Sequence, residues 1–410
     1  MTKQTVWKRC AWASAFLTTA FLVETVFAAG GGTVRDAAPA EPASSSSTTV
    51  HLQQQDVDYA VARWNVSVTT QSSRFKAEPP LARGKIVRGI LQFGHNSRDS
   101  IPFIWHRTDG KLFLDLNRNR DLTDDPGGVF SASPPVLSSY QTFTNVYLSF
   151  NTPSGTRQIR MDLSLWATGS GAACMAAVRS FWQGEAMLKD QEWQVGIVEN
   201  TDNGLETLDG GSMLMRPWSE RAKPFNSDSQ DTFQFSRHLF VGNHAYELDW
   251  TNGPPAPGAG LDLRFTEQQP GLGEMKISGT YVQRIVLKGD PYVVVMDDPP
   301  ATVKVPVGNY ADARIWLKAG DVQAYHDSDR TSPGKQITIG EQQPATLTAG
   351  GPLTNSVLLK RRGSHLSLNY QLVGAGGTVY QLLGQDRSKP PRFAIYRGDK
   401  RIASGKFEFG

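Results

Sequence analysis

The chain has 410 residues, with 42 Lys and Arg against 39 Asp and Glu, 39 Gly, 24 Pro and two Cys. This length allows two or three domains with cores of their own, and so even a charge balance gives no reason to expect nucleic acid or an anionic membrane surface as partner. The two cysteines, Cys10 and Cys174, provide no disulfide framework, because the first falls in a predicted leader.

Met1 to Ala28 carries Lys3, Lys8 and Arg9, then an uncharged apolar run from Cys10 to Val23, then Val26-Phe27-Ala28. That order predicts a secretory signal cleaved after Ala28. The run is short of the ~20 residues that span a bilayer, and no second apolar span follows, so the mature chain is expected to carry no transmembrane segment. Export predicts a periplasmic, cell-surface or secreted protein. Without Lys3, Lys8, Arg9 and Glu24 the 42 basic and 39 acidic residues become 39 and 38. Cys174, left alone after Gly169-Ser170-Gly171-Ala172-Ala173, is expected to pack as a small apolar group.

Residues 29–55 are expected to be a disordered linker, because Ala29 to Val50 is rich in Gly, Ala, Pro and Ser without apolar periodicity. From Asp56 the dominant period is two. A first strand is predicted around Trp64. Leu91 and Phe93 share a face; Ile101, Phe103 and Trp105 alternate with Pro102, Ile104 and His106; Leu112, Leu114 and Leu116 alternate with Phe113 and Asp115.

That last strand opens onto Asp115 to Asp125, DLNRNRDLTDD, the stretch whose spacing demands a particular chemistry. A tightly curled loop turns alternate side chains inward, and hard cations take oxygen ligands. The alternate positions are Asp115, Asn117, Asn119, Asp121 and Thr123, with Asp124 and Asp125 at the end. The loop resembles the calcium loops of dockerin modules and EF-hands. By that resemblance Asp115, Asn117 and Asn119 would bind calcium through side chains, Asp121 through side chain or carbonyl, Thr123 through water, and Asp124 or Asp125 would close the site. Arg120 stands where such loops have Gly, and Pro126 where they have a bidentate acid. The competing reading is a polar turn in which Asx side chains satisfy backbone N–H groups without metal.

Further strands are predicted at Thr144 to Phe150, Gln158 to Leu163, Ala177 to Trp182 and Gln191 to Val198. Asn200 to Asp209 reads either as a degenerate second calcium loop or as a tight turn at Asp202-Asn203-Gly204. Gly242-Asn243 predicts a hairpin, and Tyr246, Leu248 and Trp250 match Leu261, Leu263 and Phe265 in alternation, so Asn252 to Gly260 is read as a long hairpin loop. The expected division is an N-terminal β domain over 56–266 and a C-terminal β-sandwich region over 275–410. The latter consists of one or two immunoglobulin-like sandwiches, split near Asp321 to Gly334, because turn residues punctuate its strands every eight to twelve positions.

As a whole the chain resembles exported all-β proteins of Gram-negative environmental bacteria that embed a DLNxDxDLTDD loop in a strand and end in GxFxFG, here Gly405 to Gly410. The resemblance implies no activity. HExxH, CxxC, G-x-S-x-G and P-loop motifs are absent. His238, His244 and Asp249 form a weak acid–base or metal cluster; Trp182, Trp193, Trp218 and Trp250 are candidate sugar platforms; Arg397-Gly398-Asp399 reads as a turn. The expectation is a calcium-stabilised, exported binding or structural protein of the cell envelope, with glycan or an envelope protein as partner. The alternative is an all-β hydrolase acting on polysaccharide.

Overall fold

A computed structural model describes residues 46–407, apart from 71–74, 95–99, 135, 138, 153–154, 170, 199–207, 209–210, 225–229, 253–259, 328–335 and 385–389. The leader, residues 29–45, nearly all of the Asn200 to Asp209 loop and the terminal Glu408 to Gly410 lie outside this set. The chain is all-β, and among the described residues no helix is long and apolar enough to cross a membrane.

Period-two alternation with β-branched and aromatic residues builds an eight-stranded antiparallel sheet that nearly closes on itself. Its spatial order is Val129–Ser131, Lys111–Leu114, Ser100–His106, Ile86–Gln92, Ala62–Thr69, Gly171–Val178, Gly155–Thr168 and Tyr140–Thr152. Leu91, Ile101, Phe103, Leu112 and Leu114 point inward with Phe143, Leu148 and Leu163 to fill it. Each such side chain contributes ~1.5–3 kcal/mol through burial. Trp105 is fully buried, and its Nε1 donates to Gln141 Oε1 at 2.6 Å. Ile104 and His106 are buried as well, so this strand is covered on both faces towards its end. Cys174 packs in the same core, where burial pushes its thiol up to about 12 and keeps it protonated and inert.

A larger mixed sheet continues the chain, and inside it lies Ser47–Asp56, most of which was expected to be linker. It pairs with Ser180–Leu188 on one side and Leu261–Gln268 on the other. Val50 and Leu52 are its two buried aliphatics, two residues apart. The polar Gln53 to Gln55 face Phe181 to Gln183 across the ladder, so backbone pairing holds a segment whose composition reads as a tail.

The Gly242-Asn243 turn forms with φ of 58° and 64°, and Leu248, Trp250 and Asn252 pair with Phe265, Leu263 and Leu261 as the alternation required. The expected boundary at Thr266 to Glu274 is crossed by the large sheet: His238–Val241 pairs in parallel with Val293–Asp297. A three-stranded sheet, Leu272–Ser278, Thr302–Pro306 and Ala345–Thr348, contributes Met275, Ile277, Val305 and Leu347 to one core with Ile285, Leu287, Val294 and Ile315 of the large sheet. The expected split at Asp321 to Gly334 begins at the turn between Gly308–Ala319 and Val322–Asp327, which pair as a hairpin; residues 328–335 lie outside the described set. The large sheet ends in the hairpin Thr354–Arg362 and His365–Val373, and Arg392–Arg397 with Lys400–Lys406 forms a two-stranded sheet of its own.

Candidate metal centre

The barrel strand Lys111–Leu114 runs directly into the acidic loop, and the Asp115 N–H donates to the Pro102 carbonyl at 2.9 Å before the chain curls away. Asp115 is fully buried. Its Oδ1 accepts from the Asn119 N–H at 3.1 Å and its Oδ2 from the Arg120 N–H at 2.8 Å. Asn117 Oδ1 accepts from the Asn119 N–H at 3.0 Å, Asn119 Oδ1 from the Asp121 N–H at 2.6 Å, and Asp121 Oδ1 from the Thr123 N–H at 2.9 Å. Alternate side chains therefore turn towards the backbone inside the curl, an arrangement that a polar turn of Asx residues makes with or without a cation.

Arg120 adopts φ 67° and Arg118 φ 60°. The left-handed conformation that Gly would supply at the sixth loop position is thus taken by Arg120 itself, at a cost of ~1–2 kcal/mol. Two backbone bonds from the loop to a neighbouring segment hold it there: Lys76 N–H to the Arg120 carbonyl at 2.8 Å, and Leu122 N–H to the Ala77 carbonyl at 3.2 Å. Leu122 is buried and anchors the loop's second half. Pro126 opens a short 3-10 turn, Pro126–Gly128, and Gly128 is obligatory because a Cβ there would collide with the Leu114 carbonyl.

Position twelve therefore offers no acid, and of the two carboxylates before it Asp125 is the buried one, only 8% exposed. Its Oδ1 accepts from the Asn117 N–H at 3.3 Å, while its Oδ2 is buried with no hydrogen-bond partner. Burial pushes the Asp125 carboxyl above its ordinary range; the Asn117 N–H offsets part of this, the charges of Asp115 and Asp124 push it further, and the Leu116 N–H beside it pulls back a little. Asp124, exposed, accepts from Asn117 Nδ2 at 3.1 Å and Asn119 Nδ2 at 2.6 Å. Asp121 is held below the usual carboxylate range by the Thr123 hydroxyl and N–H. Among the described residues no three Asp, Glu, His or Cys side chains already converge as a metal-ligating group. What the loop offers a hard cation is a fully buried acid, two amide oxygens that already accept backbone N–H groups, and a buried carboxylate oxygen with no hydrogen-bond partner.

The other candidates separate. His238 sits opposite Glu247 in its hairpin and packs edge-on to Tyr292, His244 lies 3.6 Å from Glu267, and Asp249 pairs with Arg264 at 2.7 Å, so the three form no cluster. Trp218 and Trp250 are covered by Arg221 and Arg237. Trp193 and Tyr246, both buried, form the floor of a cleft of about 330 Å³ between the turns at Lys189-Asp190 and Gly242-Asn243, with Gln191 and His244 at its rim. Close by, Glu267 bonds Lys189 Nζ at 2.5 Å and Ser46 Oγ at 2.8 Å, which holds its carboxyl below the ordinary range. A carboxylate held ionised in this way is a poor general acid. Sequence reasoning missed two buried arginines. Arg216 donates to Gln194 at 2.8 Å and pairs with Asp231, and Arg284 pairs with Asp297 at 2.7 Å and donates to the Met215 carbonyl. Arg216 ends the apolar run Ser212 to Met215, where a basic residue is out of place on a buried strand; that was the available signal.

No protein-family model, curated protein or solved structure matches the chain.

Proposed function

We propose that the chain is an exported β-protein whose N-terminal barrel is locked by calcium at Asp115 to Asp125, and that it acts at the cell envelope as a binding or structural protein rather than as an enzyme. The observation that carries the calcium reading is Asp125 Oδ2, a carboxylate oxygen buried without a partner beside the buried Asp115. Leaving such an atom unpaired costs ~1–3 kcal/mol or more, and a cation removes that cost. Asp115, Asn117, Asn119, Asp121 and Asp125 would hold the ion, with Thr123 through water and Asp124 at the exposed side. Calcium supplies positive charge to a cluster of acids and nothing else. Both ends of the loop are clamped by the barrel, so binding acts on stability and moves no helix pair.

Export rests on the basic, apolar and small-residue order of Met1 to Ala28, and glycan or an envelope protein remains the proposed partner class. We read the three-stranded sheet facing the large sheet as the sandwich part of the C-terminal region, of the immunoglobulin-like kind.

The test is a thermal melt in millimolar calcium against chelator. Extracellular loops of this kind bind at ~10⁻⁴–10⁻³ M, so calcium is expected to add ~1 kcal/mol and raise Tm by about 2–4 °C. Asp115→Ala with Asn119→Ala erases that calcium-dependent difference. Identical melts of the unaltered protein in calcium and in chelator would reduce the loop to a polar turn.

A further inference from the structure

Averaged over the chain, charge is nearly neutral, but it is not evenly spread. Residues 351–410 hold ten Lys and Arg against three Asp and Glu, and the residues before them hold 32 against 36. Within that segment, Thr354–Arg362 pairs with His365–Val373 and Arg392–Arg397 with Lys400–Lys406. These two hairpins, turns included, carry eight basic residues and one acid, Asp399.

The same hairpins leave large apolar side chains in solvent. Opposite residues in an antiparallel ladder share a face. Val357 faces Tyr370, Leu359 faces Leu368 and Arg361 faces Leu366, so one face of the first hairpin is an apolar stripe that ends in a guanidinium. Leu359 is 64% exposed and Leu366 50%. Lys360 and Arg362, exposed, border the stripe from the other face. Phe407 packs against Tyr370 with ring centroids 5.5 Å apart, which ties the second hairpin to the first. That second hairpin exposes Tyr396 and Ile402 beside Arg397, Lys400 and Arg401.

We propose that these two hairpins dock the protein onto an anionic lipid surface. A stripe of leucine and valine enters the boundary between headgroups and acyl chains, tyrosine sits at that interface, and the flanking lysines and arginines lay their stems along the apolar layer with their charges on acidic headgroups. A polyanion such as nucleic acid or acidic polysaccharide answers the charge and leaves Leu359 and Leu366 in water. A second copy through the same face answers the apolar stripe and sets eight cations against eight. An anionic lipid surface meets both requirements. The proposal uses none of the calcium loop, so either reading can fail alone.

The experiment is co-sedimentation of the full chain, in chelator, with vesicles of phosphatidylcholine alone and of equal parts phosphatidylcholine and phosphatidylglycerol. Binding is expected to the anionic vesicles and to weaken steadily as salt is raised, which needs no variant. Each basic residue near such a surface contributes a factor of about five, so Lys360→Gln, Arg361→Gln and Arg362→Gln together weaken binding about a hundredfold. Leu359→Ser with Leu366→Ser, at unchanged charge, weakens it at least about tenfold. Equal binding to both vesicles, no binding to either, or insensitivity to salt overturns the proposal. So does retention on heparin or DNA without vesicle binding, or a lipid-free dimer that Leu359→Ser turns into a monomer.

Discussion

The acidic loop at Asp115 to Asp125 and the basic hairpins after Thr354 solve opposite problems. In the loop, charged groups are buried and the surrounding backbone is bent to meet them: Asp115 takes two N–H donors, and two arginines accept a left-handed conformation so that it can. In the hairpins, backbone geometry is ordinary and apolar side chains stand in water. Buried polarity satisfied by local hydrogen bonds is tied to one conformation, whereas exposed apolar surface costs the fold little and is free to meet a partner. The first arrangement is suited to stability and the second to association.

The sharpest way to test that contrast is to cut into the barrel. Phe103→Ala is expected to lose ~3–5 kcal/mol in denaturant melts, since the side chain is fully buried in a packed interior. Asp115→Ala is expected to lose about 1–3 kcal/mol, because the Arg120 N–H is left without an acceptor while the Asn119 N–H keeps only Asn117 Oδ1. A loss under 1 kcal/mol would show that the loop frays without harm and would dissolve the comparison.

Asp125 distinguishes the metal from the bare turn. Its carboxyl is raised in the folded protein, so in chelator the folded state binds its proton more tightly than the unfolded chain does. Its contribution is then full below the ordinary carboxylate range and is lost as pH rises through the raised folded value. Asp125→Asn, which keeps an oxygen for the Asn117 N–H, is therefore expected to be neutral or stabilising by about 1 kcal/mol at pH 7 in chelator. In calcium the same variant is expected to be the less stable protein. Melts that shift the same way in both conditions would separate Asp125 from any cation.

Smallest of all, Leu359→Ser and Leu366→Ser are expected to change stability by no more than about 0.5 kcal/mol, since both side chains are half exposed or more. A loss above 1 kcal/mol would mean the stripe is covered within the chain and is no docking surface.

Where the sequence was legible, large apolar residues recurred at every second position. Ile101, Phe103, Leu112 and Leu114 reported their strands directly, and the mates Leu248 and Phe265 could be paired by alternation alone. Ser47–Asp56 was illegible because two aliphatics in ten residues carry too little signal, and its neighbours in the sheet lie far away in the chain. The order of oxygen-bearing side chains in the loop was visible, but not that Arg120 would take a glycine's conformation, since that is held by the strap at Lys76 and Ala77, nor that Asp125 would be buried while Asp124 stays exposed. The charge of the hairpins vanished in the average over the chain, and His238 and His244 were wrongly brought together because the true register sets His238 against Glu247.

The position of Ser47–Asp56 has a consequence for the order of events at synthesis. Ser46 Oγ meets Glu267 across 221 positions of sequence, and the strand behind it is flanked by one partner from Ser180–Leu188 and another from Leu261–Gln268. The strand emerges early, and its slot is complete only after Leu261–Gln268 has been made. Closing so long a loop carries a large entropic toll before any contact repays it, so the large sheet nucleates slowly and only once Gln268 has left the ribosome. A cut placed after Asp56 would leave two inner strands with bare edges, and the predictable outcome is edge-to-edge aggregation rather than a smaller soluble fold.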